Sequence, residues 1–313
     1  MTDAAGPVPR IVVVGEALVD IVHRASGSID ETPGGSPANV ALVLGRLGLG
    51  PTLVTRFADD DRGLRVRRWL EDSGVVVAVA AAPRTSTAVA HLDESGAATY
   101  EFDLDWDLDG VDGALVVSAD LLHIGSIAAV LEPGASQVAA LVRRAREHAT
   151  VTYDPNIRPA LVDDPAAVRA RVAELVSLAD IVKASDEDLR WLHPDRDLVE
   201  VAQEWRARGP ALVVVTLGSE GAVAVTADSV IRIPAVRTTV VDTVGAGDTF
   251  MGTLIDGVLM HDGAGAALRA PGGGIRLEDL EELLRRSAYA AAITVSRPGA
   301  DPPRRVELAA RQH

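Results

Sequence analysis

Asp242-Thr-Val-Gly-Ala-Gly-Asp-Thr-Phe250 is the stretch on which the reading of this chain turns. It follows a β-like run, Ile231–Val241, and opens an apolar segment, Phe250–Met260, patterned as a helix. Gly245, Ala246 and Gly247 therefore sit where a helix begins. A helix N-terminus offers unpaired N–H donors and the positive end of the macrodipole, which suits an anion. Glycines let that backbone approach a phosphate and turn its amides into a concave nest. Asp248 is then an oddity, a carboxylate inside an anion site. Such an acid would repel phosphate unless a metal ion or a proton-bearing substrate came between. That is the arrangement of a base taking a proton from a hydroxyl that attacks phosphorus. The rival reading is an ordinary glycine-rich turn with Asp248 near the helix start.

Working outward, short apolar runs alternate with longer amphipathic stretches. Ile11–Gly15, Thr52–Phe57, Val75–Ala80, Leu121–Gly125, Thr150–Asp154, Ile181–Ala184, Leu212–Leu217 and Ala222–Val225 read as strands. Pro37–Leu47, Arg62–Asp72, Gly134–Ala149, Pro165–Leu178, Leu198–Arg208, Ala246–Met260 and Leu277–Val295 read as helices. Several strands are near-continuous Val/Ile/Leu, which indicates burial on both faces of a parallel sheet. The expected fold class is α/β, a doubly wound, mostly parallel sheet flanked by helices. Two stretches break the rhythm. Leu18–His23 continues the first strand, and Thr87–Asp105 alternates partly and is followed by no crossover helix. They are expected to form a small antiparallel β-sheet, a lid or dimer surface over about 17–33 and 85–106, on a single domain spanning 1–313. The alternative is a decorated edge of the main sheet. Tyr100, Phe102 and Trp106 give the lid aromatic surface in an aromatic-poor chain, which suggests a homodimer through the lid. Gly263–Gly265 and Pro271–Gly274 read as surface turns, and the tail after Arg304 as a short helix.

Composition excludes several function classes. With 313 residues, 48% of them hydrophobic, the chain can bury a large core. It has no cysteine, so disulfides, thiolate catalysis and Cys-based zinc sites are excluded. The net charge of −15, with no block of clustered positive charge, argues against nucleic acid and membrane surfaces as partners. No leader-like segment opens the chain, and no apolar run approaches the ~20 residues that span a bilayer, so a cytoplasmic location is expected. The P-loop pattern, a Gly-x-Gly-x-x-Gly after the first strand, His-Glu-x-x-His and Gly-x-Ser-x-Gly are all missing. One lysine, Lys183, stands among arginines, which fits a need for a compact point charge.

Other segments carry candidate chemistry. In Pro33-Gly-Gly-Ser-Pro-Ala-Asn-Val40 a glycine pair meets a helix start, and Asn39 offers both donor and acceptor to a polyhydroxylated ligand. Asp20, at a strand end, could accept from two neighbouring hydroxyls or simply be solvated. Tyr153-Asp-Pro-Asn-Ile-Arg158 follows a buried strand, so Arg158 lies where open α/β sheets bind ligands. Lys183-Ala-Ser-Asp-Glu-Asp188 opens a helix; its acids complement the dipole or hold Mg²⁺ through water. Thr216-Leu-Gly-Ser-Glu-Gly221 is a turn between strands, either a plain hairpin or the edge of a nucleotide pocket.

Taken in this order, from Gly15 to Pro303, these segments resemble the ribokinase-like (PfkB) family of carbohydrate kinases. Gly34-Gly35 with Asn39 is similar to its first signature, and Asp242–Asp248 to its second. Gly-Glu-Ala-Leu-Val-Asp20, Asp-Pro-Asn-Ile-Arg158 and Ser-Arg-Pro-Gly-Ala-Asp-Pro-Pro303 look most like the bacterial fructokinase branch. The resemblance implies a sugar and ATP as partners, with Mg²⁺ and a monovalent cation such as K⁺. It implies Asp248 as base and Gly245, Ala246 and Gly247 as anion hole. Asp20, Gly34, Gly35, Asn39 and Arg158 would line the sugar site, and Ser185, Thr216, Gly218 and Gly221, with Lys183, the nucleotide side. Asp188 and Glu187 would hold Mg²⁺ through water, while Asp242 and the Val244 carbonyl, facing the Ser296–Gly299 turn, would serve the monovalent ion. The family's Asn-x-x-Glu reads Ser185-x-x-Asp188 here, and Thr253 stands where a smaller residue is usual. Fructose is the first expectation for substrate, ahead of 2-keto-3-deoxygluconate, ribose or a nucleoside. A regulator that binds sugar or nucleotide without turnover, and a hydride-transfer enzyme, are the rivals from other classes.

Overall fold

Ile11–Val14 (β1) is apolar at every position because both of its faces are covered. Val12 and Val14 enter one core, and Ile11 and Val13 the other. The computed structural model describes residues 9–24, 26–92, 98–261, 266–269 and 275–309. After β1 come Leu18–His23 (β2), Ile29–Gly34 (β3), Thr52–Phe57 (β4), Val76–Ala81 (β5), Thr87–Leu92 (β6) and Ala98–Asp103 (β7). Leu121–Gly125 (β8), Thr150–Asp154 (β9), Ile181–Ser185 (β10), Leu212–Thr216 (β11), Ala222–Val225 (β12) and Val230–Ile233 (β13) follow. The α-helices are Ser36–Arg46 (α1), Asp61–Glu71 (α2), Gly113–Val117 (α3), Gly134–Ala145 (α4), Pro165–Leu178 (α5) and Asp186–Leu192 (α6). Leu198–Ala207 (α7), Ala246–Met260 (α8), Ala266–Arg269 (α9), Leu277–Val295 (α10) and Arg305–Ala309 (α11) complete them.

The main sheet runs β13-β12-β11-β10-β9-β8-β1-β4-β5, parallel from β11 to β5, with β12 and β13 antiparallel. One apolar layer holds Val138 and Val142 of α4, Leu175 of α5 and Trp205 of α7. The opposite layer holds Leu44 of α1, Leu70 of α2, Leu254 of α8 and Leu284 of α10. Strand order reverses between β1 and β8, so the crevice at their C-terminal ends is the topological switch point where such sheets bind ligands. The doubly wound, mostly parallel α/β fold expected from sequence is the one found.

The small sheet is separate, in the order β3-β2-β6-β7, and is not an edge of the main one. β2 therefore does not extend β1: the chain leaves the main sheet at Gly15–Ala17 and pairs β2 antiparallel with β3 but parallel with β6, so the small sheet is mixed and not the antiparallel one expected. The polar β3, Ile-Asp-Glu-Thr-Pro-Gly, was not legible as a strand, because half of it faces solvent. Charge joins this flap to the core, where Glu31 accepts from Arg62 at 2.6 Å and from Arg65 at 3.0 Å.

Three expectations need correction. The run Ile231–Val241 is not one strand: β13 ends at Ile233, before Pro234. Val241 and Asp242 then donate their N–H groups to the Val295 carbonyl at the end of α10, so this backbone satisfies itself outside a ladder. Trp106 is not on the flap surface. It is 3% exposed in the core, with Nε1 donating to the Ala128 carbonyl at 3.0 Å; only Tyr100 and Phe102, stacked at 6.1 Å, remain on the small sheet. The short α3 had no counterpart among the expected helices, its five residues being too few to show a period. The turns read at 263–265 and 271–274 lie outside the described residues, while α11 is the short helix expected after Arg304. No helix among the described residues is long and apolar enough to cross a membrane.

Candidate active site

α8 starts at the crevice. Gly245 caps it with φ of 75°, a left-handed conformation that costs a glycine little. Ala246, Gly247 and Asp248 form the first turn, where N–H groups have no partner within the helix. Asp248 is 7% exposed and anchored at both oxygens: Ser36 Oγ donates to Oδ1 at 2.6 Å, and Asn39 Nδ2 to Oδ2 at 2.8 Å. Each carboxylate oxygen keeps acceptor capacity beyond that one bond, so a substrate proton can still be taken. Asn39 Oδ1 has no partner among the described residues and is free to accept from a ligand. Ser36 was missed in the sequence reading. The signal was present, since Ser36 and Asn39 are three apart at a helix start and so share a face.

The sugar-side candidates cluster between β1, β2 and α1. Asp20 Oδ2 lies against Gly34: a Cβ there would come within 2.0 Å of it, so a larger residue at 34 would push the Asp20 carboxylate from its place. Gly35 adopts φ of 103° at the start of α1. Burial pushes the Asp20 carboxyl up to about 6, against the pull of Arg158 and helped by Asp248. Glu16, a second carboxyl not anticipated from sequence, is 5% exposed and accepts from the Ala128 N–H at 3.0 Å. Burial pushes it up to about 7, against hydrogen bonds from Ser126 and the backbone, with Arg158 also pulling it down. Arg158 is exposed, and its Nη1 donates to Asn156 Oδ1 at 2.6 Å. Ser126 (φ 57°) and Asn156 (φ 39°) are the described non-glycine residues with positive φ, and both follow strand ends at this crevice, where backbone strain tends to gather.

The nucleotide-side candidates come from β10 and β11. Lys183 is 4% exposed and its Nζ lies 2.8 Å from Asp154 Oδ2. Ser185 caps α6 in a capping box with Asp188. Asp188 Oδ2 accepts from Ser185 N at 2.8 Å and Ser185 Oγ at 2.7 Å, and Oδ1 from Ile157 N at 2.7 Å. Asp188 thus ties the 154–158 loop to α6, while Glu187 beside it is exposed. Thr216 ends β11, and Gly218 and Gly221 shape the tight hairpin into β12 with φ of 54° and 101°. Asp242 joins two loops: Oδ1 accepts from Val244 N at 3.0 Å and Oδ2 from Gly299 N at 2.9 Å. That brings the 242–248 segment against the 296–299 turn, as expected. Thr253 is buried, with a hydroxyl that has no partner among the described residues.

A glycine-flanked helix N-terminus beside an anchored carboxylate suits one class of reaction, transfer of a phosphoryl group to an alcohol. Residues 8–306 match the model described as the pfkB family carbohydrate kinase. The chain belongs to this family, and it is a phosphotransferase acting on a sugar hydroxyl. A fructokinase of Rhizobium leguminosarum bv. trifolii is 38% identical over 254 residues, 77% of this chain and 77% of the relative. A fructokinase of Xylella fastidiosa, solved with bound ATP, matches with a TM-score of 0.83 at 27% identity, covering 97% of this chain and 98% of that one. A double-mutant fructokinase of Vibrio cholerae O395, solved with fructose, ADP and a potassium ion, gives 0.80 at 28% identity, with 97% and 98% covered.

Proposed function

We propose that this chain is an ATP-dependent fructokinase. The observation that carries the reading is Asp248, fixed at both oxygens by Ser36 and Asn39 on the first turn of α8. A primary hydroxyl of the sugar attacks the γ-phosphorus, the bond from phosphorus to the β,γ-bridging oxygen breaks, and ADP leaves. Asp248 takes the hydroxyl proton. The amides of Gly245, Ala246 and Gly247 hold the anionic oxygens of the group in flight, and positioning supplies most of the rate. Lys183, Ser185, Thr216, Gly218 and Gly221 border the nucleotide.

The sugar site favours a neutral polyol. Asp20 and Glu16 are two carboxyls facing one guanidinium, Arg158, which Asn156 already engages. A sugar acid would add a third carboxyl to a site whose burial already disfavours ionising the other two, which supports fructose over 2-keto-3-deoxygluconate. Gly34, Gly35 and Asn39 line the same site, and the four-stranded flap closes over it. The relatives named fructokinases, and the fructose and ADP in the Vibrio structure, support the same substrate.

Among the described residues no group of three or more His, Cys, Asp or Glu could hold a metal by itself. A divalent ion would therefore come with the phosphates of ATP. Asp188 carries three hydrogen bonds, and a carboxylate has about four acceptor sites, so it can still take a metal-bound water; Glu187 is the second candidate. Mg²⁺ bound there would neutralise phosphate charge. Asp242 retains acceptor capacity on both oxygens and, with the Val244 carbonyl, suits a monovalent cation such as K⁺.

ADP release with fructose, ribose, 2-keto-3-deoxygluconate and adenosine side by side tests the assignment, fructose giving the highest kcat/KM. Asp248→Asn retains sugar binding and loses roughly 10²–10⁴-fold in kcat, the usual contribution of a general base. Sugar-dependent thermal shifts without ADP would make the chain a binding protein instead. Tyr100, 58% exposed and stacked on Phe102, with Ile29 at 57%, offers the apolar surface of a homodimer through the flap. Light scattering at micromolar concentration gives twice the chain mass if so, and a monomer mass refutes it. A kinase drawing on ATP belongs in the cytoplasm, which cell fractionation checks.

A further inference from the structure

The Asp154–Lys183 pair is buried at the floor of the crevice, its side chains 0% and 4% exposed. Taking two charges out of water is costly, and an apolar pair of similar volume often serves a core as well. Asp154 is the last residue of β9, and Lys183 stands on the neighbouring β10 between the apolar Val182 and Ala184. The buried ion pairs of Asp180 with Arg269 and of Asp256 with Arg286 and Arg305 hold helices and strands together instead.

Two observations say where this ammonium points. A Cβ built on Gly247 would lie 2.9 Å from Lys183 Nζ. Gly247 has ordinary helical backbone, with no positive φ to demand glycine. The ammonium thus lies against the first turn of α8 and is the neighbour a Cβ at 247 would meet. Burial by itself would strip the proton from Lys183, but Asp154, Asp248 and Asp188 outweigh it and raise its pKa above the ordinary lysine value. A compact point charge fits this gap where a planar guanidinium would not, which accounts for the single lysine among arginines.

We propose that Lys183 is a catalytic residue whose ammonium meets the phosphoryl group in flight beneath the amides of α8, and that Asp154 is the positioning residue that aims it. This rests on the kinase reading and gives Lys183 a transition-state task in place of general contact with nucleotide. An ammonium set where charge develops acts like an oxyanion-hole donor, whose loss costs about 10²–10³-fold in kcat.

The test is the double variant Asp154→Asn/Lys183→Met, which removes both charges and so avoids stranding one in the core. With fructose and ATP saturating, kcat falls about 10²–10³-fold while KM for each changes less than about threefold. With ADP, aluminium fluoride and fructose, the wild type shows a thermal shift beyond that given by ADP and fructose, and the double variant does not. A folded double variant with kcat within threefold of wild type, or one that keeps the aluminium fluoride shift, overturns the proposal and leaves the kinase assignment standing. A wild type that releases no ADP with any of the sugars overturns both.

Discussion

Replacing Asp20 by asparagine should make the protein more stable and a poorer sugar binder, with the size of each effect set by pH. Asp20 lies against Gly34 with no described hydrogen-bond donor to its oxygens, and burial holds its carboxyl at about 6 in place of 3.8. Because the folded pKa is raised, the stability linked to this group is full below about 4 and is lost as pH rises through 6. A shift of about 2 units corresponds to about 3 kcal/mol by pH 7.5. Asparagine fills the same space without the charge, so the variant recovers much of that amount at pH 7.5 and almost none at pH 4. Thermal unfolding at the two pH values reads the difference as a rise of several degrees at the higher pH only. Sugar affinity moves the other way. The ionised carboxylate accepts hydroxyl protons, so wild-type kcat/KM for fructose falls about tenfold per pH unit below 6, whereas the asparagine variant is low and lacks the fall centred at 6. Equal pH dependence of unfolding in the two proteins, or a variant less stable at pH 7.5, would refute the reasoning.

The remaining predictions concern anchors. Ser36→Ala removes the 2.6 Å hydrogen bond to Asp248 Oδ1 and leaves Asn39 to hold the base alone; kcat should fall about tenfold with KM for sugar little changed, the signature of a displaced reacting group. Arg269→Met strands Asp180, 2% exposed and held at both oxygens by Arg269 at 2.7 and 2.8 Å, and should cost about 3–5 kcal/mol in urea unfolding.

Much of the fold was legible from local pattern. Strands such as Val213–Val215 are apolar at each position because both faces are covered, and runs of that kind alternating with amphipathic helices admit few arrangements other than a doubly wound sheet. β3 was not legible, since a flap strand with one solvated face has no strict hydrophobic period. Trp106 misled because aromatic content alone does not say which side of a turn a ring falls on.

That Gly245, Gly247 and Asp248 stand at the start of a helix was legible from the chain alone, because a glycine-rich turn before an apolar helical run is a local pattern. The partners of those residues were not. Ser36 and Asn39 reach Asp248 across more than 200 positions, at separations of 212 and 209. Asp154 and Lys183 meet only because β9 and β10 are neighbours in the sheet, and the ammonium faces Gly247 only because α8 begins over the ends of those strands. Strand order and helix placement follow from how the whole core packs, so the tertiary structure alone decided which charges were brought together, which were buried, and which were left facing the crevice.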